Sequence, residues 1–176
     1  HIADKLENKL ILDLGTWRGG SAFMLGENKK NKVITYDINS HVLPEVKNHI
    51  IKEFPNIKFE LQSCLEIPLD VLQRASFIHF DIAPHDGVQE PLMLQRIRDS
   101  GFSGLLACDD LAINDDMWKW WCSITDQTHE VEDECCGANL RNTPTNKEGV
   151  ATEMRDAHNP RTGFIFFSEE IKSLLK

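Results

Sequence analysis

Short apolar runs that stop at a glycine or an acid alternate along this chain with longer stretches whose apolar positions recur every three to four residues. Lys9 to Gly15, KLILDLG, is a nearly continuous apolar run closing on glycine, the pattern of a strand covered on both faces. Gly19 to Glu27 then reads as a helix, Lys32 to Asp37 as a second strand ending in an acid, and His41 to Phe54 as a helix with Val42, Val46 and Ile50 on one side. Pro55 and Asn56 break that helix, and Ile57 to Leu61 alternates as a third strand. Leu65 to Arg74 is a weaker helix, Phe77 to Asp81 a fourth strand, Val88 to Asp99 a helix and Gly104 to Asp109 a fifth strand. A last helix over Asp115 to Ser123 carries Trp118, Trp120 and Trp121, whose spacing suits a core-packed helix better than a sugar-stacking platform. Five strands alternating with helices predict a parallel α/β sheet with right-handed crossovers.

The last third changes character. His129 to Glu134 fits a strand, and Arg161 to Ser168, RTGFIFFS, predicts one more strongly. Between them Cys136 to Pro160 is polar and aperiodic, which predicts an irregular lid or insertion at residues 136–160.

Composition narrows the function classes. The 176 residues suit one domain with a real core, and the net charge of −9 argues against nucleic acid as a partner, since phosphate binding needs a basic surface. No apolar stretch approaches the roughly 18 residues of a membrane span, so no membrane association is expected. Five cysteines, Cys64, Cys108, Cys122, Cys135 and Cys136, without a CxxC pair suit free thiols in a reducing compartment, hence a cytoplasmic location. The first residue is His1, which leads us to expect a fragment or one domain of a longer chain.

Two places concentrate chemistry. The first is the turn after the first strand, DLGTWRGGS from Asp13 to Ser21, followed 22 residues after Gly15 by Asp37 at the end of the second strand. Glycines between a strand and a helix let a ligand approach the backbone, and an acid at the next strand end grips the two hydroxyls of a ribose. The spacing is G-x-x-x-G-G, which suits a nucleoside better than the pyrophosphate of a dinucleotide. The second place is the pair of strand ends at Asp81 and at Asp109 and Asp110. Neighbouring parallel strands end at one edge, so three carboxylates are expected to meet there and to need a hard cation, Mg²⁺ first and Mn²⁺ as a substitute. His85, four residues after Asp81, is the candidate base, with Asp86 second and His158 a candidate to enter from the irregular segment.

These residues carry a family resemblance. DLGTWRGGS at 13 to 21 with YD at 36 and 37 resembles the motif pair of class I S-adenosylmethionine-dependent methyltransferases. DIAPHDG at 81 to 87 with CDD at 108 to 110 resembles the metal-dependent O-methyltransferases related to cephalosporin hydroxylase and to sugar O-methyltransferases, and TGFIFF at 162 to 167 resembles that group's closing strand. The resemblance implies a Rossmann-like, seven-stranded, mostly parallel sheet with its last strand antiparallel and helices on both faces, in a single domain over residues 1–176. It implies that the turn, with Asp13, Gly15, Thr16, Gly19, Gly20 and Ser21, holds the methionine part of S-adenosylmethionine. Asp37 would hold the ribose, Ser63 and Cys64 the adenine, and Asp81 would border both donor and metal. Mg²⁺ would sit on Asp81, Asp109 and Asp110, with His85 as general base. The implied partner is a small-molecule or glycan acceptor, with fusion to glycosyltransferase domains in a longer chain. Two alternatives stay open: a nucleotide-dependent oxidoreductase or hydroxylase on the same sheet, and a non-catalytic donor-binding module of a glycan-assembly protein.

Overall fold

A computed structural model describes residues 2–125, 128–132 and 161–168. The expected lid at 136–160, the Cys135 and Cys136 pair and His158 lie outside the described residues. In chain order the elements are α1 (Ile2–Lys5), β1 (Leu10–Leu14), α2 (Gly20–Gly26), β2 (Lys32–Asp37), α3 (Pro44–Glu53), β3 (Ile57–Leu61), a 3₁₀ turn (Cys64–Glu66), α4 (Leu69–Arg74), β4 (Phe77–Phe80), α5 (Gln89–Asp99), β5 (Leu105–Cys108), α6 (Asp115–Cys122), β6 (Thr128–Glu132) and β7 (Arg161–Phe166). One seven-stranded sheet runs in the order β3-β2-β1-β4-β5-β7-β6. The first five strands pair in parallel, and β7 runs antiparallel to both β5 and β6. The expected sheet, with its last strand reversed, is the one formed.

Alternation along the strands splits the core in two. Leu12, Leu14, Ile78, Phe80, Leu106 and Cys108 face α4, α5 and α6, where Leu72, Met93, Leu94, Ile97, Met117, Trp120 and Trp121 are buried. Ile11, Val33, Phe77, Leu105, Ala107 and Phe164 face the other way, toward Ala3, Ala22 and Ile50. Trp120 and Trp121 therefore do the packing their spacing suggested. Burying a large apolar side chain stabilises by about 1.5–3 kcal/mol, so the two layers together clamp the sheet between them.

The expected helices hold with two adjustments. The segment expected as one helix over Leu65 to Arg74 is a 3₁₀ turn and then α4, separated at Pro68. Proline disfavours helical backbone at the preceding residue, and Ile67 is accordingly extended at φ −60°, ψ 128°. Helix α3 starts at Pro44 rather than His41, because proline's fixed φ and missing N–H suit the first helical turn. Sheet order reverses direction between β1 and β4, and a crevice opens beyond the carboxyl ends of strands at such a point. Gly15 follows β1 there and Asp81 follows β4, joined by the Asp81 N–H donating to the Leu14 carbonyl at 2.8 Å.

Candidate active site

The glycine turn is built first for the protein itself. Gly15 has φ +106°, and a Cβ there would stand 1.7 Å from the Asp81 carbonyl oxygen, so no other residue lets β4 come this close. Gly20 is different. A Cβ on it would meet nothing within 4 Å, so the fold leaves open space beside this backbone.

Asp13 is fully buried beneath the turn. Its Oδ2 accepts hydrogen bonds from Ser21 Oγ at 3.0 Å and Thr35 Oγ1 at 2.7 Å, and its Oδ1 lies 2.9 Å from His79 Nδ1. Thr16 Oγ1 pairs with Thr35 Oγ1 at 2.5 Å. Asp13, Thr16 and Ser21 thus form an internal polar network that fixes the turn.

On the outer side of the turn, Asp37 accepts the backbone N–H of Trp17 at 2.9 Å on Oδ2 and that of Asn39 at 2.9 Å on Oδ1. The carboxylate is held at the rim of a cleft of about 350 Å³ whose lining includes Gly15, Asp37, Ser63, Cys64, Asp81 and His85. Trp17, at φ 44°, sets its ring against His41 at a tilt of 45° with centroids 4.7 Å apart, and both line this cleft. Ser63 caps the 3₁₀ turn by accepting the Leu65 N–H at 3.3 Å. Burial pushes the Cys64 thiol up to about 11, so it stays un-ionised at neutral pH.

Acids gather at the inner end of the cleft. His85 Nε2 lies 3.6 Å from Asp81 Oδ1 and 3.7 Å from Asp110 Oδ2. The three side chains each offer an atom within 4.8 Å of the others. Burial raises the Asp81 carboxyl to about 6, helped by the charges of Asp110 and Asp109 and opposed by His79 and His85. Burial also raises Asp110, again helped by Asp109. His85 and Asp110 both hold left-handed backbone, at φ 57° and 55°. For non-glycine residues that conformation is uncommon and gathers at functional sites. Asn114 locks one of them in place, donating Nδ2 to the His85 carbonyl at 2.6 Å while its Oδ1 caps α6 through the Met117 N–H at 2.9 Å.

Asp109 is set apart from this group. Its Oδ1 accepts Thr162 Oγ1 at 2.9 Å and the Asp110 N–H at 3.0 Å, and it borders a second cavity that Asp81 also lines. The structure brings together Asp81, Asp110 and His85, where an all-aspartate set was expected. The two carboxylates suit Mn²⁺ as well as Mg²⁺, with the imidazole beside them. Of the turn residues, Gly15 borders both spaces, Thr16, Gly20 and Ser21 border the second, and Gly19, at φ +90°, begins α2. Sequence reasoning missed His79. Its signal was present, because it sits two residues before Asp81 on the same strand face and opposite Asp13 in the register of β1 and β4.

No family model matches the chain, and no curated protein does. Solved structures do. The chain is similar to an rRNA methylase from Streptococcus thermophilus, at 14% identity over 94% of this chain and 90% of that one, with a TM-score of 0.61. It is similar to a SAM-dependent methyltransferase from Aquifex aeolicus, at 15% identity over 92% and 84%, with a TM-score of 0.62. It is also similar to a precorrin 8W decarboxylase from Methanobacterium thermoautotrophicum, at 15% identity over 93% and 84%, with a TM-score of 0.60. The fold is that of the class I methyltransferases. Among the described residues no helix is long and apolar enough to cross a membrane.

Proposed function

We propose that this chain is an S-adenosylmethionine-dependent O-methyltransferase that works with a divalent cation on a hydroxyl of a sugar, glycan or similar polyol. The observation that carries the reading is that Asp81, Asp110 and His85 converge at the inner end of the same cleft whose rim is held by Asp37. The residues present fit the donor: Gly15 brings bare backbone to the cleft, Asp37 offers acceptor oxygens at the rim, and Ser63 and Cys64 line the same cleft. Gly15 and Asp81 would hold the methionine part, Asp37 the ribose, and Ser63 with Cys64 the adenine.

Asp81 and Asp110 would hold Mg²⁺ or Mn²⁺, with Asp109 behind them. A bound cation supplies charge that lowers the pKa of a hydroxyl beside it, and the donor supplies an electrophilic methyl group. His85, with Nε2 turned toward both carboxylates, is placed to take the proton of that hydroxyl. The fixed turn and the Asn114 latch supply positioning, a large share of any two-substrate transfer. The net charge of −9 supports a small-molecule or glycan acceptor over RNA.

Calorimetric titration with S-adenosylhomocysteine, followed by a screen of methyl transfer from labelled donor to a glycan panel with Mg²⁺ present or chelated, tests the reading. Binding of the donor product and chelator-sensitive transfer are expected. Full activity in EDTA would remove the cation from the scheme, and tighter binding of NAD than of S-adenosylhomocysteine would replace the scheme with an oxidoreductase.

A further inference from the structure

His85 sits on the loop between β4 and α5, residues 81–88. Inside that loop, Asp86 Oδ1 accepts the Val88 N–H at 2.9 Å. From outside, the first turn of α6 holds it at two points. Asn114 Nδ2 donates to the His85 carbonyl at 2.6 Å. Gly87, at φ +69°, lies so near the Asp116 backbone that a Cβ on it would stand 3.0 Å from the Asp116 carbonyl oxygen. Helix α6 is a firm platform, because Met117, Trp120 and Trp121 are buried in the core and Trp120 meets Phe80 edge-on with ring centroids 6.1 Å apart. Asp110 is shaped from the same place by a different bond, its carbonyl accepting the Ile113 N–H at 3.1 Å.

The residue type at 114 decides what this platform can do. A helix N-cap needs only an acceptor oxygen, which Ser, Thr, Asp and Asn all supply. Of these, asparagine alone offers an acceptor and a donor on separate atoms. Asn114 uses both, taking the Met117 N–H on Oδ1 at 2.9 Å while Nδ2 serves His85. Those partners also fix which end of the amide is which, since the N–H requires oxygen and the carbonyl requires nitrogen. His85 depends on the second bond. Its backbone is left-handed at φ 57°, a conformation that persists in a non-glycine residue only where the surroundings hold it.

We propose that Asn114 is a positioning residue for the base: beyond starting α6, its amide keeps the His85 imidazole against Asp81 and Asp110 without taking part in the cation pair itself. That His85 is a base rests on the methyl-transfer reading, whereas the latch rests on the geometry alone. Without the amide donor the loop can leave its left-handed turn, and the imidazole, now 3.6 and 3.7 Å from the two carboxylates, swings toward solvent. Asp110 keeps its own turn through Ile113, so base and cation carboxylate separate in their response.

Asn114→Ser and Asn114→Asp test the latch on the full chain. Both keep a capping oxygen, but serine is one bond too short to span to the His85 carbonyl as well, and aspartate has no donor. Melting temperatures within about 2 °C of the native chain are expected for both, against a drop of about 2–4 °C in Asn114→Ala, which loses the cap too. Diethyl pyrocarbonate, which modifies accessible imidazoles, then reports on the base, with the modified histidines located by mass spectrometry. His85 should react about threefold faster or more in the serine and aspartate variants. His79, whose side chain is 17% exposed against 16% for His85, should react as before. Mn²⁺ affinity should stay within about twofold of native. With whichever member of the glycan panel the native chain methylates, kcat should fall about tenfold at an unchanged KM for S-adenosylmethionine. Native His85 reactivity in both variants would reduce Asn114 to a cap, and a native kcat despite a freed His85 would remove the positioning role; either result overturns the proposal. Loss of Mn²⁺ affinity in step with the freed histidine would overturn it as well, by making His85 a ligand of the cation. A native chain that neither binds S-adenosylhomocysteine nor methylates the panel would overturn the methyl-transfer reading instead, while the diethyl pyrocarbonate result still decides the latch.

Discussion

The two halves of the strand-end edge treat their acids in opposite ways. Under the glycine turn, Asp13 is sealed from solvent and every oxygen has a partner, from Ser21, Thr35 and His79. At the tips of β4 and β5, Asp81 and Asp110 face each other with a histidine at 3.6 and 3.7 Å and make no side-chain hydrogen bond among the described residues. One half is finished by the chain alone. The other keeps two carboxyls above their ordinary range and two non-glycine residues in left-handed backbone, a combination that stabilises nothing in the isolated fold.

Substitution separates the halves most sharply. Asp13→Ala strands buried Thr35 and half-buried Ser21 and His79, and breaking a network of this kind costs about 3–5 kcal/mol, seen as a lower midpoint in urea denaturation. Asp110→Asn should leave that midpoint unchanged or raise it, because it relieves repulsion with Asp81 and Asp109. Mn²⁺ affinity and methyl transfer should nevertheless fall by about 100-fold or more. The comparison breaks if Asp110→Asn unfolds the chain or if Asp13→Ala leaves its stability intact.

The sealed half was the more legible one. KLILDLG and KVITYD carry strand, turn and acid in one reading, and Gly15 is where it is because β4 runs against it. The open half was legible in its parts and misread in its geometry. Asp109 follows the β5 pleat toward Thr162, and Asp110 reaches His85 only through a φ of 55°, which no residue pattern announces. His79 hid because its partner Asp13 lies 66 positions away and is supplied by sheet register. Pro68 was visible in the sequence, and its effect on Ile67 should have divided the helix there.

A smaller effect comes with pH. The native Asp81 carboxyl titrates near 6, against about 4 for an unfolded chain. Between those values the native state holds the extra proton, so stability from this group is fully present below about pH 4 and is lost as pH rises through about 6. Denaturation midpoints of the native chain minus those of Asp81→Asn, in EDTA, should fall across that window and level off above it. On the proposed reading a divalent cation takes the ionised pair, so adding Mg²⁺ or Mn²⁺ should recover the loss on the high-pH side and do nothing below it. A flat difference curve would mean that the two acids lie in well-solvated surroundings and that the edge is less unbalanced than its geometry says.

The smallest effect tests whether the imbalance reaches beyond the cluster. Glu90, in the first turn of α5, is 1% exposed, and among the described residues neither carboxyl oxygen has a hydrogen-bond partner. Burial raises its pKa, Asp86 adds to that, and His85 with the backbone N–H groups of Glu90 and Gly87 works against it. Glu90→Gln removes the charge and keeps the shape, so a gain of up to about 1 kcal/mol is expected at neutral pH. That gain should shrink in acid, where the native carboxyl is already protonated, and thermal melts across pH would show the convergence. A loss of stability in Glu90→Gln at every pH would mean the opposite arrangement: the helix start and the Gly87 N–H hold a carboxylate as part of the loop that aims His85, and the open half has a finished foundation after all.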